Sequence, residues 1–132
     1  MKISASINSK FNQHSIVVKT NETSQQLNIS PKPTGFGSSV NGGELLLLSL
    51  ATCFCNDIYR EAKKRNISIT GVEVIVTGEF GAEGEPGRNF QYKTNVVSDA
   101  PAAAIEELIT HTDKVAEIHN TLRQGLSIKL TR

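Results

Sequence analysis

Three short runs in the first thirty residues have the pattern of β-strands: the first and third alternate polar and apolar side chains, and the second is rich in β-branched residues. The runs cover residues 2–7, 14–20 and 25–30, and short polar turns separate them. Residues 31–37 then contain two prolines and two glycines, which interrupt any regular element. The pattern predicts a meander of three strands followed by an irregular loop.

The longest apolar stretch of the chain lies in a predicted helix over residues 43–66. The N-terminal half of this helix is apolar all round, which is typical of a helix buried on every side. Its C-terminal half carries charged side chains, among them Asp57, Arg60 and Glu61. We therefore expect that end of the helix to emerge into water.

The chain from residue 67 onwards predicts a hairpin. Residues 67–80 place Val72, Val74 and Val76 at alternate positions, as in a half-buried strand. Residues 81–88 are a glycine-rich turn, and residues 89–98 return as the partner strand.

Two more helices and a last strand are predicted after the hairpin. Pro101 suits the first turn of a helix that runs to about His111. A second short helix covers residues 116–124 and ends at Gly125. The alternation in residues 126–131 predicts a final strand.

Length and charge limit the classes of function. A chain of 132 residues is about one domain, so we expect residues 1–132 to form a single domain. The formal net charge of +1 offers no field for nucleic acid. Gly78 and Gly81 have the spacing of the loop in KH-type RNA-binding modules, but Glu79 places a carboxylate between them. We expect no nucleic-acid partner.

Targeting and membrane signals are also missing from the pattern. Residues 1–10 have no apolar core, and the apolar run over residues 45–55 is shorter than the roughly 20 residues that cross a bilayer. Two cysteines do not make a disulfide framework. The sequence therefore predicts a soluble cytoplasmic protein without a membrane partner.

Both cysteines, Cys53 and Cys55, lie in the predicted long helix. Residues two apart lie about 200° around a helix axis, so the two thiols diverge and do not form a disulfide. The same divergence argues against a zinc site that combines them with His111 and His119, and we expect no metal or other cofactor. Composition alone favours two buried, unreactive thiols.

Three segments change that interpretation. Residues 43–53 (GELLLLSLATC), 62–74 (AKKRNISITGVEV) and 115–122 (VAEIHNTL) resemble, in the same order and with compatible spacing, motifs of the OsmC/Ohr family. This family comprises the osmotically inducible protein C and the organic hydroperoxide resistance proteins. The resemblance implies thiol-dependent reduction of hydroperoxides, above all organic ones, in defence against oxidative stress.

By residue match, Cys53 takes the place of the family's peroxidatic cysteine, nine residues after Glu44. Glu44 would then have a supporting role, and Cys55 is a geometrically unfavourable candidate for the second cysteine. An external thiol would recycle the enzyme. We expect an apolar pocket for the peroxide tail, formed by Leu46, Leu50 and Phe54.

The chain also departs from the family pattern. Ala116 stands at the position of the second cysteine and Glu117 at that of a proline, and no arginine precedes Arg60. Asp57, one turn after Cys53, should raise the pKa of the thiol together with burial. These departures favour weak or absent turnover.

A cation could offset the effect of Asp57, and three candidates are His119, Lys63 and Arg60 of the partner subunit. The sequence shows none of them next to the thiol. For His119 we favour an ordinary, partly exposed helix residue.

The resemblance implies an α+β fold with antiparallel strands, a long buried central helix and two layers, in an intertwined homodimer. Two functional classes remain open. One is a peroxidase that acts through Cys53 alone with an external thiol. The other is a weak or inactive member that binds a small apolar ligand or a thiol adduct at the dimer interface.

Overall fold

The first sheet has three antiparallel strands in the order of the sequence. A computed structural model, which describes residues 1–132, shows strands β1 (Ile3–Lys10), β2 (Gln13–Thr20) and β3 (Thr23–Leu27) paired as β1-β2-β3. Asn12 and Asn21 occupy the two turns with φ of 54° and 51°, a conformation that asparagine tolerates. The predicted meander is confirmed.

This sheet carries little buried apolar surface. Ile16 on the central strand is buried, but β1 is exposed along its whole length, with Ile3 65% and Ile7 56% exposed. The outer edges of β1 and β3 pair with no other strand of the chain. The sheet therefore presents apolar side chains and two free edges.

The long helix α1 (Gly42–Lys64) agrees with the predicted helix to within two residues at each end. A reciprocal cap fixes its start. The Glu44 backbone N–H donates to Asn41 Oδ1 at 2.8 Å, and the Asn41 N–H donates to Glu44 Oε1 at 3.0 Å. Two donors that the helix itself leaves unpaired are thus satisfied.

The two expectations for the faces of α1 are both wrong in part. In the single chain the N-terminal half is not buried on every side, because Leu48 is 58% exposed. The charged half does not emerge fully into water, since Asp57 and Glu61 are each only 4% exposed. They share the inward face of the helix with its buried apolar residues, which are Leu50, Phe54, Ile58 and Ala62.

The predicted hairpin is confirmed as strands β4 (Gly71–Glu79) and β5 (Arg88–Val97), paired antiparallel. Its inward residues, among them Val72, Val74 and Tyr92, pack against a buried cluster from the helices. That cluster consists of Phe54, Ile58, Ala62, Leu108 and Ala116.

Two helices follow the hairpin. Helix α2 (Ala102–Val115) runs one turn past its predicted end at His111, and Leu108 and Thr112 form its buried stripe. Helix α3 (Glu117–Gln124) ends at Gly125, whose φ of 70° is a conformation suited to glycine. The end of α3 at this glycine is as predicted.

The predicted last strand is wrong for this chain. Residues 126–131 have no regular structure, and Leu126, Ile128 and Leu130 are 64%, 96% and 83% exposed. A strand requires a neighbour for its backbone N–H and C=O groups, and no strand of either sheet pairs with this segment.

The fold class is α+β, with two antiparallel sheets and three helices, as predicted. By its internal contacts the chain divides into two units, Met1–Leu45 and Leu46–Arg132. The single domain and the intertwined homodimer stay predictions. None of the helices combines the length and apolarity needed to cross a membrane.

Candidate functional site

Cys53 lies half-buried on α1 and donates its S–H to Asp57 one turn later, with 3.5 Å between Sγ and Oδ2. The two side chains meet because residues four apart share a helix face. The buried carboxylate of Asp57 thus faces the thiol directly, as its position in the sequence predicts.

Arg60 supplies the positive charge of the site. Its Nη1 donates to Asp57 Oδ1 at 2.7 Å and lies 3.8 Å from Glu117 Oε1. The sequence left the source of a cation open and offered Arg60 only from a partner subunit. In the structure the chain's own Arg60 reaches the carboxylates from the same helix as Cys53, whereas Lys63 is exposed.

The start of α3 completes the site. The backbone N–H of Ile118, near the N-terminus of α3, acts on the sulfur of Cys53 and lowers the pKa of its thiol. Glu117, the first residue of α3, places its carboxylate oxygen within 4.8 Å of the Cys53 sulfur and of an Asp57 oxygen. Ala116, two residues before Ile118, is fully buried. The segment matched to the family's second cysteine therefore lies beside the thiol.

Burial is the main cause of a raised pKa at Cys53. The Ile118 N–H opposes this rise in pKa, while the charges of Asp57 and Glu117 add to it. The pKa of Asp57 is also raised, first by burial and then by Glu117, against the lowering effect of Arg60. The resting thiol at neutral pH therefore keeps its proton and shares it with Asp57, as the sequence predicts.

The same donor atoms form the only group of the chain that resembles a metal site. Cys53, Asp57 and Glu117 each offer one atom, all within 4.8 Å of one another. However, Arg60 is bonded to one carboxylate and lies close to the other, so the cluster already holds its counter-charge. The arrangement suits proton transfer between sulfur and oxygen.

The four residues considered for zinc do not come together. His111 Nε2 lies 3.7 Å from Glu61 Oε1, and His119 packs between aromatic rings, 5.6 Å from Phe54 and 4.6 Å from Tyr92 by ring centroids. His119 is only 4% exposed, so the expectation of a partly exposed residue is wrong. It is the buried residue of α3.

The other predicted site residues have clear positions. Glu44 caps α1, Cys55 is a free, half-buried thiol, and Leu46 is half-buried. Leu50 lines a cavity, and Phe54 lies fully buried in the core. Their roles in catalysis or substrate binding stay predictions.

Sequence reasoning missed two features. The sequence indicates Glu117 only as a replacement for proline, whereas the structure brings its carboxylate close to the thiol. Sequence reasoning also missed a polar network in which the Tyr92 hydroxyl donates to Asp113 and Arg123 Nη2 donates to Asp113 Oδ1 at 2.6 Å. No spacing in the sequence connects these three residues.

Comparison with known proteins gives the same family as the resemblance. The sequence model of the OsmC-like proteins matches residues 35–131. Among curated proteins none matches the chain. An OsmC-like protein from Mycoplasma pneumoniae has a similar structure with a TM-score of 0.63 and 26% identity, and the match covers 92% of this chain and 86% of that one.

Two similar structures at lower identity share the fold. One is an organic hydroperoxide resistance protein from Vibrio cholerae, solved with captopril in one of its active sites, at TM-score 0.59 and 20% identity over 93% of this chain and 85% of that one. The other is the organic hydroperoxide resistance protein OhrB of Bacillus subtilis, with a TM-score of 0.54 and 15% identity. That match covers 91% of this chain and 89% of the Bacillus subtilis chain.

Proposed function

This chain belongs to the OsmC-like protein family, and on that premise we propose that it reduces organic hydroperoxides through the thiol of Cys53. The observation that carries the proposal is the set of groups around the sulfur. A carboxylate accepts its proton, a helix N–H stabilises its negative charge, and a guanidinium holds the carboxylate in place. These are the groups that a thiol needs to act as a nucleophile.

The chemistry follows from this arrangement. Asp57 takes the proton of Cys53 while the sulfur attacks the outer oxygen of the hydroperoxide ROOH and the O–O bond breaks. The proton then passes to the leaving alkoxide, so that Cys53–SH and ROOH give Cys53–SOH and ROH. The Ile118 N–H and Arg60 stabilise the negative charge during the transfer.

Recycling requires an external thiol, because Ala116 occupies the position of the second cysteine and Cys55 lies on another face of α1. One thiol R′SH condenses with the sulfenic acid to give a mixed disulfide and water. A second R′SH then releases Cys53–SH and the disulfide R′SSR′. A reducing compartment such as the cytoplasm would supply the thiol and keep both cysteines reduced.

The raised pKa of Cys53 favours a second candidate function. A thiol that keeps its proton turns over slowly, and such a protein would bind a small apolar ligand or a thiol adduct instead. In the Vibrio cholerae protein, captopril occupies one of the active sites. Leu46 and Leu50 would supply the apolar surface for either a ligand or a peroxide tail, and the fully buried Phe54, one turn after Leu50, would support that surface from the core. Glu44 would support the site by fixing the start of α1.

We also propose that the functional form is an intertwined homodimer of single-domain chains. The support is apolar surface that one chain leaves open, on β1, at Leu48 and along residues 126–131. A second copy would cover these surfaces and pair the free strand edges. Static light scattering should give twice the chain mass, and a monomer at micromolar concentration would contradict the dimer.

The peroxidase proposal is tested by following the consumption of cumene hydroperoxide and of hydrogen peroxide with dithiothreitol as reductant. We expect faster turnover of cumene hydroperoxide because its tail is apolar. Cys53→Ser should abolish turnover, and the matched control Cys55→Ser should keep it. Mass spectrometry should find one added oxygen on Cys53 after a single equivalent of peroxide without reductant.

Two results would decide against this function. If Cys53→Ser consumes peroxide as fast as the parent protein, the thiol is not the reactive group. If native protein forms no sulfenic acid at Cys53 and shows no turnover, the ligand-binding alternative is the better account.

A further inference from the structure

A small cavity lies against the aromatic neighbours of His119. Its volume is about 130 Å³, and it lies between α1, the β4–β5 hairpin and α3. Leu50, Val76, Phe90 and Leu122 provide an apolar lining, and His119 and Arg123 belong to its polar side. Cys53 does not line this cavity; Leu50 is the one lining residue that we also assign to the apolar surface near the thiol.

His119 has no polar partner in the protein. It is 4% exposed, and both of its ring nitrogens are buried without a hydrogen bond. A neutral imidazole carries one N–H donor and one acceptor nitrogen. The Tyr92 ring, whose centroid is 4.6 Å away and whose plane is tilted by 64°, could offer at most a π face to an N–H and offers nothing to an acceptor nitrogen. At least one nitrogen therefore lacks a partner that can donate to it.

The charges around the cavity are already balanced. The Arg123 guanidinium donates to the Asp113 carboxylate at 2.6 Å and to the Asp113 carbonyl at 3.0 Å, and the Tyr92 hydroxyl donates to the same carboxylate. Burial and Arg123 lower the pKa of His119, so the imidazole is neutral at pH 7. An anion would have to displace Asp113, and a cation would find no free carboxylate. The cavity therefore suits an uncharged ligand.

Size limits the ligand to about one ring. An apolar cavity of about 150 Å³ in another protein is sufficient for benzene. Phe90 and Tyr92 offer aromatic faces against which a ring can pack. A hydroxyl on that ring would donate to the acceptor nitrogen of His119, which the protein leaves unpaired.

We propose that this cavity binds a small, neutral, hydroxylated aromatic compound of the phenol class, with the His119 imidazole as the hydrogen-bond acceptor of its hydroxyl. The site does not depend on Cys53 or on peroxide turnover. It uses a polar anchor that an unselective apolar pocket would not have.

The test compares phenol with toluene, which has nearly the same size and no hydroxyl. Binding is measured on the ¹⁵N-labelled protein by chemical-shift titration, including the ring nitrogens of His119. We expect phenol to bind about tenfold more tightly than toluene, as one hydrogen bond to a buried unpaired group implies, and to shift a His119 ring nitrogen. Benzoate should bind more weakly than phenol because its charge has no partner.

Two variants distinguish the contribution of the His119 hydrogen bond from that of the apolar cavity. His119→Phe keeps an aromatic ring against Tyr92 but removes both nitrogens, so the affinity for phenol should fall to that for toluene, and toluene should bind as before. Leu122→Trp enlarges a 40% exposed residue of the lining and should weaken the binding of both phenol and toluene. Cys53→Ser should bind phenol like the parent protein, whatever the outcome of the peroxidase assay.

Equal affinity of the parent protein for phenol and toluene would overturn the proposal, as would unchanged phenol binding in His119→Phe. A cavity filled by water alone would show no saturable shift with either compound, and this result would also overturn it. If His119→Phe fails to fold, as judged by circular dichroism, the His119 nitrogen shift in the parent protein decides the question.

Discussion

The Cys53 thiol donates to the Asp57 carboxylate across one helical turn, with 3.5 Å between Sγ and Oδ2. The relationship has two sides. An ionised Asp57 holds the proton on the sulfur, and the same carboxylate is a group to which that proton can pass when the sulfur attacks. Reactivity towards an alkylating reagent and turnover of peroxide should therefore respond differently to changes at Asp57.

Replacing Asp57 by Asn removes the negative charge beside the sulfur. Because that charge raises the pKa of Cys53, the rate of Cys53 alkylation by iodoacetamide at pH 7 should increase by about two- to tenfold in a Cys55→Ser background. Peroxide turnover should fall, since the proton acceptor is lost. Asp99→Asn, at an exposed position, is the control and should change neither rate. Slower alkylation of Asp57→Asn would contradict the assigned role of the charge.

The pH dependence of Cys53 should reflect its raised pKa. The rate of alkylation follows the thiolate, so it should increase by about tenfold per pH unit below the pKa. Because the pKa of Cys53 lies above its ordinary value of 9.0, the rate in folded Cys55→Ser protein should still increase above pH 9. In denaturant, the rate of alkylation of the same protein should reach its plateau at a lower pH. A plateau near pH 7 in the folded protein would show that an additional cation acts on the thiol.

Replacing Arg60 by Met leaves the buried Asp57 carboxylate without its cation. We expect a loss of about 1–2 kcal/mol in the free energy of unfolding at pH 7, because Arg60 is 40% exposed and solvent already weakens the pair. Lys63→Met, at an exposed position of the same helix, should lose much less free energy of unfolding. Urea unfolding measures both variants.

The pH dependence of the Arg60→Met loss has a definite sign. The folded pKa of Asp57 lies above its ordinary value of 3.8, so its protonation favours the folded state, and this contribution is lost as the pH rises through the folded pKa. Without Arg60 the pKa rises further. The stability difference from the parent protein should therefore be largest at neutral pH and should shrink towards pH 4. A constant difference over this range would point to lost packing of the arginine stem.

Replacing Ala116 by Cys places a thiol at the position of the family's second cysteine. Ala116 is fully buried, so the added sulfur should cost about 1–3 kcal/mol of stability. After one equivalent of organic hydroperoxide, the variant should form a disulfide with Cys53 that dithiothreitol reverses, and multiple turnover should rise above that of the parent protein. Peptide mapping identifies the cross-link.

Ala103→Cys, at an exposed position of α2, is the control for random cross-linking and should form none with Cys53. If Cys53 of the Ala116→Cys variant becomes oxidised without a cross-link, residues 116 and 53 are not juxtaposed. The match of residues 115–122 to the family segment would then be wrong.

Local patterns predict most of this fold. The β-branched run of β2, the alternation in β4, the polar turns between strands and the glycine after α3 each act over a few residues, so the sequence alone locates them. The i, i+4 spacing also predicts the contact between Cys53 and Asp57. The residues from α3 that approach the sulfur depend on how α3 packs against α1, which no local pattern encodes.

The wrong predictions concern surfaces that depend on neighbours. The apolar face of α1 at Leu48 and the alternation over residues 126–131 predict burial, but nothing in the pattern says which element covers them. The sequence favours a partly exposed His119 because histidine is more often partly exposed than fully buried. Its burial follows from the aromatic residues Phe54 and Tyr92, which come from distant parts of the sequence.

The open C-terminal segment bears on how long the protein survives in a cell. Residues 126–131 expose alternate apolar side chains and an unpaired backbone, which makes the segment accessible to proteases and prone to edge-to-edge aggregation. If a second copy covers the segment, the protected fraction increases with protein concentration by mass action. Newly made chains are then most vulnerable while they are scarce, and degradation removes those that have not yet met a partner.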